Sequence, residues 1–176
     1  MQLNVLLVKQ ARYNKAMVIA ATYTLHSESL DETQRYAYLL SAVLKEGDVI
    51  SLDGDLGAGK THFTQGLAKG LGIQEVPTSP TFNLMIAYDG GRLPLYHFDL
   101  YRLEDAYELE DIAFYDYVGA NGVSCIEWAA KFEDEMPEDR LALSFTVNED
   151  GSRSIEVRTM GKRGQEMLSA WKASLS

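Results

Sequence analysis

The sequence is poor in cysteine, in histidine and in long apolar runs, and each shortage excludes a class of protein. Its single cysteine, Cys125, cannot form an intrachain disulfide, which favours a reducing compartment. Three scattered histidines and one cysteine give no spacing typical of a transition-metal site. No run approaches the ~20 apolar residues of a membrane span, and residues 1–15 place their basic residues after the apolar run, the reverse of a secretory signal. We therefore expect a cytoplasmic protein without membrane attachment.

Basic residues are scarce as well. The chain has 16 Lys and Arg against 26 Asp and Glu, a formal net charge of -10. Such a surface repels nucleic-acid backbones, because affinity for them depends mainly on clustered Lys and Arg. A role in RNA biology would therefore be indirect or would need a basic partner. With 176 residues, 46% of them hydrophobic, and no repeat or linker, the chain is typical of one globular domain.

Hydrophobic patterning predicts the order of the elements. Residues 1–16 fit no clear element and are an N-terminal extension of uncertain structure, whereas residues 17–176 form one domain that opens with a strand at Met17. A helix follows, begun by a capping box of Ser29 and Glu32 and ended by Gly47. Its apolar stripe consists of Tyr36, Leu39, Leu40, Val43 and Leu44.

The rest of the chain alternates strands and helices. A buried strand runs into Gly54, a helix ends at Gly72, and residues 75–82 form an ordered loop with two prolines. Glycine turns at residues 89–91 and 149–151 predict two hairpins. An acidic helix over residues 103–118, a strand ending in Glu-Trp and a last helix complete the chain. This order predicts an α/β fold, a three-layer domain with a mixed sheet.

The strongest motif is the stretch GDLGAGKT, residues 54–61, which fits G-x-x-x-x-G-K-[ST] in full. Its glycines let successive backbone amides turn toward an anion, and the following helix adds its free N-terminal amides. Lys60 would reach the β- and γ-phosphates of a nucleotide, and the Thr61 hydroxyl would ligate Mg²⁺. The motif predicts a P-loop NTPase-like domain.

Two carboxylates at the ends of apolar strands are candidates for the supporting chemistry. Asp99 ends LPLYHFD and Glu127 ends VSCIE, where they could hold a metal or orient an attacking water. The expected nucleotide is ATP rather than GTP, because the sequence lacks the N-K-x-D motif with which GTPases usually recognise the guanine base. Mg²⁺ with the nucleotide is the only metal that we expect.

Other residues admit two interpretations each. Trp128 is either a core residue or a ligand contact, and the loop of Thr78, Ser79 and Thr81 is either a γ-phosphate sensor or a rigid connector. Arg102 could neutralise charge in a transition state or pair with a neighbouring carboxylate. His62 and His97 are expected to be structural or exposed rather than catalytic.

Four motifs in order, GDLGAGKT, SPTF, YHFDLYRL and IEW, resemble the TsaE (YjeE) family over about residues 24–157. The resemblance implies a P-loop ATPase that binds ATP or ADP with Mg²⁺ and hydrolyses ATP slowly by itself. It also implies two partners, TsaD and TsaB, which transfer a threonylcarbamoyl group to adenosine 37 of tRNAs that read codons beginning with A. The family's own ATP hydrolysis would reset that complex, and tRNA would be contacted only through it.

The resemblance also implies roles for single residues. Lys60, Asp99 and Glu127 would be catalytic, Thr61, Asp99 and Glu127 would hold Mg²⁺, and Ser79 to Phe82 would form a switch-like loop. The nucleotide contacts would be Thr33 near the adenine, Asp55, Leu56, Gly57, Ala58, Gly59, Lys60, Thr61, Thr81, Trp128, and Arg153 in a hairpin that closes over the nucleotide.

The chain departs from the family pattern at His62, where a second Thr is usual, and at Ala129, where a Pro is common. It also departs at Ala113, in a region that often contains Gly, and in its first sixteen or so residues. Two other functions stay open. The first is a small-molecule kinase that uses the same loop, although such kinases usually carry an Arg-rich lid. The second is a nucleotide-sensing adaptor, in which Glu127 would have a structural role.

Overall fold

Strands and helices alternate through residues 21–176, which are the residues that the computed structural model describes. The N-terminal extension and the start of the first strand at Met17 lie outside them. The strands are β1 (Thr22–Ser27), β2 (Val49–Gly54), β3 (Met85–Tyr88), β4 (Leu95–Asp99), β5 (Val123–Glu127), β6 (Arg140–Val147) and β7 (Arg153–Met160). The helices are α1 (Leu30–Ser41), α2 (Lys60–Leu71), α3 (Glu108–Asp111), α4 (Phe114–Tyr117) and α5 (Gly161–Leu175), with a 3-10 helix at Ala129–Glu135.

All seven strands form one mixed sheet in the order β1-β7-β6-β2-β5-β4-β3. Strands β6, β2, β5 and β4 are parallel neighbours, whereas β3, β7 and β1 join by antiparallel pairing. The two predicted hairpins are confirmed as β3–β4 and β6–β7. Because parallel strands end at one edge of the sheet, the loops after β2, β4 and β5 are brought together there.

Two hydrophobic cores cover the two faces of the sheet. On one face α1, α2 and α5 pack on β2 through residues such as Phe63, Trp171 and Ile50. On the other face α3, α4 and the 3-10 helix pack through Phe98 and Phe114. The predicted three-layer α/β fold with a mixed sheet is therefore confirmed.

Helix α1 begins as predicted but ends earlier. The Ser29 hydroxyl accepts a hydrogen bond from the Glu32 amide at 3.1 Å, whereas the Glu32 carboxylate accepts from the Glu28 amide at 2.7 Å, one residue before the position that a capping box uses. The helix ends at Ser41 instead of near Gly47. The Arg92 guanidinium accounts for this end, because it donates to the carbonyls of Ser41 and Leu44, which a longer helix would use internally.

The acidic segment 103–118 is the element that differs most from its prediction. It forms two short helices, α3 and α4, separated at Ala113, whose φ of 55° lies in the left-handed region. The break buries both Leu109 and Phe114 in the second core. A continuous helix was therefore the wrong prediction, and an alanine adopts the conformation that glycine adopts most easily.

Helices α1 and α2 approach closely at Gly66, and this contact predicts a measurable loss of stability. A Cβ atom at Gly66 would lie 2.3 Å from the Gln34 carbonyl oxygen and 2.7 Å from the Ala37 Cβ. We expect Gly66→Ala to lower the free energy of unfolding by about 2 kcal/mol, because overpacking outweighs the gain in helix propensity. Urea unfolding measures the loss. Lys69→Ala, an exposed change on the same helix, is the control, and equal midpoints for the two variants would contradict the expectation.

Candidate functional site

The loop between β2 and α2 has the backbone that its glycines predict. Gly54, Gly57 and Gly59 all have positive φ angles, of 143°, 78° and 114°. At Gly54 a Cβ would lie 2.6 Å from the Phe145 carbonyl oxygen, so the loop can approach β6 only with glycine there. The predicted strand, glycine loop and helix are thus confirmed, and α2 begins at Lys60 with its free amides at the loop.

A cavity of about 300 Å³ opens beside this loop at the carboxyl edge of the parallel strands. It brings together most of the residues predicted from sequence, and it includes His62, which was expected to be structural or exposed rather than catalytic. Among the predicted contacts, Asp55, Ala58, Thr33 and Arg153 do not line it. The lining residues are Leu56, Gly57, Gly59, Lys60, Thr61, His62, Ser79, Thr81, Asp99, Glu127 and Trp128.

Lys60 is the cation at the floor of this cavity, with only 5% of its surface exposed. Its ammonium group donates to the carbonyl oxygens of Gly54 and Asp55 and lies 4.5 Å from the centroid of the Trp128 ring. Burial lowers the pKa of Lys60, and the nearby carboxylates, of which Glu127 contributes most, oppose that shift. The site therefore holds a desolvated positive charge within a set of acidic groups.

The two carboxylates predicted at strand ends lie opposite each other, since Asp99 and Glu127 are register partners of β4 and β5. Glu127 Oε1 accepts from Thr61 Oγ1 at 3.0 Å and lies 2.8 Å from Nε2 of the buried His97. The hydrogen bond from Thr61 therefore links the acid at the end of β5 to the first turn of α2.

Asp99 is tied to the loop that precedes β3. Its Oδ2 accepts from Thr81 Oγ1 at 2.9 Å and from Ser79 Oγ at 3.3 Å, and its Oδ1 accepts from the Tyr101 amide at 2.9 Å. The two hydroxyls of the predicted switch-like loop thus contact the acid at the end of β4. The neighbouring Thr78 points elsewhere, and its amide donates to the Tyr88 hydroxyl.

The oxygen atoms at the site suit a hard cation. Thr61 provides a hydroxyl, and Asp99 and Glu127 provide carboxylates, which is the donor set that Mg²⁺ prefers. Within residues 21–176 no group of three or more His, Cys, Asp or Glu side chains could hold a metal by itself. Mg²⁺ commonly binds through one or two carboxylates and keeps positions for water and phosphate oxygens.

A strained corner follows Glu127. Trp128 has a φ of 61°, its amide donates to the Leu52 carbonyl at 2.9 Å, and the Ala130 amide donates to Asp53 Oδ1 at 2.9 Å. Burial raises the pKa of Asp53, against the effect of the Ala130 hydrogen bond. The Trp128 ring is half-buried, packs on Tyr101 with centroids 4.9 Å apart and lines the cavity, so it contributes to both the core and the site.

Three other residues named from sequence, Thr33, Arg153 and Arg102, are not among those that line the cavity. Thr33 is fully buried, where its hydroxyl contacts Ser27 Oγ at 2.8 Å. Arg153 Nε donates to the Ala58 carbonyl at 3.1 Å, so its hairpin lies against the glycine loop. The Arg102 guanidinium lies 5.1 Å from the centroid of the Phe82 ring, and it has no carboxylate partner within residues 21–176, contrary to one of its two interpretations.

Sequence reasoning undervalued His97 and missed Asp53. Alternation along β4 could have identified His97, because residues two apart in a strand share a face and His97 stands two before Asp99. Asp53 lies in β2, directly before Gly54, the first glycine of the loop. Its hydrogen bond to residue 130 could not be read from local sequence.

The fold and the cavity define a class of protein. It is an α/β protein with a G-x-x-x-x-G-K-T loop between a strand and a helix, and with carboxylates at the ends of adjacent parallel strands. No helix within residues 21–176 is long and apolar enough to cross a membrane.

Comparison with known proteins narrows this class to one family. The model of the family described as "Threonylcarbamoyl adenosine biosynthesis protein TsaE" matches residues 27–155. Two relatives are named tRNA threonylcarbamoyladenosine biosynthesis protein TsaE. The one from Bacillus subtilis is 46% identical, and the match covers 78% of this chain and 85% of the relative. The one from Treponema pallidum is also 46% identical, and the match covers 74% of this chain and 96% of the relative. The crystal structure of YdiB from Bacillus subtilis matches with a TM-score of 0.76 and 34% identity, over 90% of this chain and 99% of YdiB. The chain belongs to the TsaE family, which confirms the resemblance found in its motifs.

Proposed function

We propose that this chain is the ATP-binding and ATP-hydrolysing subunit of a system that synthesises threonylcarbamoyladenosine in tRNA. The relatives are named for that biosynthesis. The observation that carries the proposal is the convergence of one lysine, one hydroxyl and two carboxylates on a single cavity beside the glycine loop. A phosphate-binding loop alone serves many reactions, whereas two acidic side chains opposite its lysine favour phosphoryl chemistry.

The loop would bind the nucleotide through its backbone. The amides of Asp55, Leu56, Gly57, Ala58 and Gly59 would donate to phosphate oxygens, together with the free amides at the start of α2. The Lys60 ammonium would neutralise the β- and γ-phosphates, and these oxygens would take the place of the Gly54 and Asp55 carbonyls. Thr33, Trp128 and Arg153 would contact the nucleoside.

Hydrolysis would use the two carboxylates. Thr61, Asp99 and Glu127 would hold Mg²⁺, which when bound supplies neutralisation of the charge on the phosphate oxygens. Glu127 would orient the attacking water or accept its proton, because its carboxylate is buried next to Thr61 and Lys60. Ser79 and Thr81 would link the loop before β3 to Asp99, since both hydroxyls donate to its carboxylate.

The charge distribution supports an indirect contact with RNA. Residues 104–139 contain twelve acidic and one basic residue, a net charge of -11, whereas the whole chain has a net charge of -10. This acidic segment would repel tRNA. TsaD and TsaB would therefore hold the tRNA and modify adenosine 37 of tRNAs reading codons that begin with A, while ATP hydrolysis by this subunit would drive turnover of their complex.

Measurement of nucleotide binding and ATP turnover, alone and with TsaD and TsaB, tests the proposal. Purified by itself, the chain should bind ADP with Mg²⁺ and hydrolyse ATP slowly, and the partner complex should raise the rate. Released phosphate should equal the ATP consumed, because a kinase would instead transfer the phosphate to an acceptor. Turnover of many ATP per second without partners would contradict the partner-dependent role.

A further inference from the structure

His97 is a polar ring in a place where the fold offers almost no polar partner. It lies in the middle of β4 with 0% of its surface exposed, and its backbone pairs with Ile86 on one side and Cys125 on the other. Its Nε2 atom is 2.8 Å from Oε1 of Glu127, whose side chain is only 4% exposed. A buried imidazole in contact with a buried carboxylate is held there by more than packing, because the imidazole would otherwise lack a hydrogen-bond partner.

The position of the proton follows from the partners. An ionised carboxylate can only accept hydrogen bonds, so Nε2 carries the hydrogen and donates it to Glu127. The other ring nitrogen, Nδ1, is buried without a hydrogen-bond partner. The contact therefore places a hydrogen on Nε2, directed at Glu127 Oε1.

The two carboxylate oxygens of Glu127 differ in their hydrogen bonds. Both Thr61 Oγ1 and His97 Nε2 contact Oε1. Within residues 21–176 no side chain or amide donates to Oε2. One oxygen is therefore anchored to the protein, and the other is the atom that remains for a water or a cation in the cavity that Glu127 lines.

We propose that His97 is the positioning residue of the site and holds Glu127 in one orientation through the Nε2–Oε1 hydrogen bond. This inference rests on the proposed function, because it assigns the geometry of the acid on which hydrolysis depends. Thr61 would turn its hydroxyl toward Mg²⁺, and His97 would then be the donor that still anchors Oε1. Since His97 is fixed on both sides by sheet pairing, the anchor does not move with the nucleotide.

Three variants separate this role from packing. His97→Leu has a similar volume and removes the donor, whereas His97→Gln keeps an N–H donor at the end of a side chain of comparable reach. Cys125→Ala is the matched control, because Cys125 is the register partner of His97 and is buried on the same pair of strands. Thermal unfolding of each variant identifies any that fails to fold.

Single-turnover hydrolysis of radiolabelled ATP is the kinetic measurement, with ADP affinity measured by calorimetry. His97→Leu should lower the rate by about 10–100-fold, as loss of an orienting partner commonly does, with ADP affinity changed by less than about threefold. His97→Gln should recover most of the rate, and Cys125→Ala should stay near the wild type. In a Glu127→Ala background His97→Leu should have no further effect, because the group that it positions is gone. An equal loss in both backgrounds, or no recovery by His97→Gln, would overturn the proposal.

A second readout does not depend on activity. In protein with ¹⁵N-labelled histidine, long-range ¹H–¹⁵N spectra should show a hydrogen on Nε2 of His97. The Nε2–H should exchange slowly in the wild type and quickly in Glu127→Ala. A ring without a hydrogen on Nε2 would overturn the proposal. Failure of the wild type to bind ADP would instead refute the proposed function, so the two outcomes are distinguishable.

Discussion

Replacement of Lys60 by alanine is expected to abolish nucleotide binding. Lys60 is the cation on the floor of the cavity, and it lies among the carboxylates of Glu127, Asp99, Asp53 and Asp55. Without its charge, the phosphate oxygens of ADP would meet acidic side chains, hydroxyls and backbone amides, but no lysine or arginine of the cavity lining. We expect the affinity for ADP to fall by more than about 100-fold, since several kcal/mol of charge-assisted contacts are lost and repulsion is added.

Isothermal titration with ADP and Mg²⁺ measures this loss. Lys69→Ala is the matched control, because it removes the same charge from the exposed last turn of the same helix. It should bind ADP like the wild type. An affinity for Lys60→Ala within a few-fold of the control would refute the assignment of Lys60. Circular dichroism of both variants establishes that the fold is retained.

Replacement of Glu127 should separate binding from hydrolysis. Glu127 lies at the end of β5 and not in the glycine loop, so its loss leaves the loop amides and Lys60 in place. Glu127→Gln keeps an oxygen that can accept from Thr61 and His97 but removes the charge. We expect ADP affinity within about threefold of the wild type and an ATP turnover lower by about 100-fold or more, the usual effect of losing a positioned base.

Glu127→Ala should show the same separation with an added loss of stability. The His97 Nε2–H would be left buried without its acceptor, which lowers the free energy of unfolding by about 1–3 kcal/mol. Glu46→Ala, which removes the same charge from an exposed position, is the control for both variants. Partner-stimulated turnover of Glu127→Gln near the wild-type rate would favour the adaptor role, in which Glu127 is structural.

The parts of the site that could be predicted from sequence are those encoded by local patterns. The loop of residues 54–61 follows from the positions of its glycines, and Asp99 and Glu127 were found because each ends an apolar strand. The partners of these acids could not be predicted in the same way. The contact of His97 with Glu127 depends on the side-by-side register of β4 and β5, which no single stretch of sequence specifies.

The errors in the fold prediction have a similar cause. The break at Ala113 is imposed by the burial of Leu109 and Phe114 in one core, whereas the local sequence favours a continuous helix. The early end of α1 depends on Arg92, which lies in the loop between β3 and β4 and is distant in sequence. Long-range contacts therefore override local propensity at both places.

The two tryptophans have surroundings so different that the chain carries two natural optical reporters. Trp171 is fully buried in the first core, packs on Phe63 with centroids 6.1 Å apart and donates its ring N–H to the Tyr36 carbonyl. Trp128 is half-buried beside the Lys60 ammonium. Ultraviolet emission from Trp128 should change when Lys60 leaves its ring for a phosphate, whereas emission from Trp171 should respond to unfolding. Ligand occupancy and integrity of the core can thus be followed in one unlabelled sample.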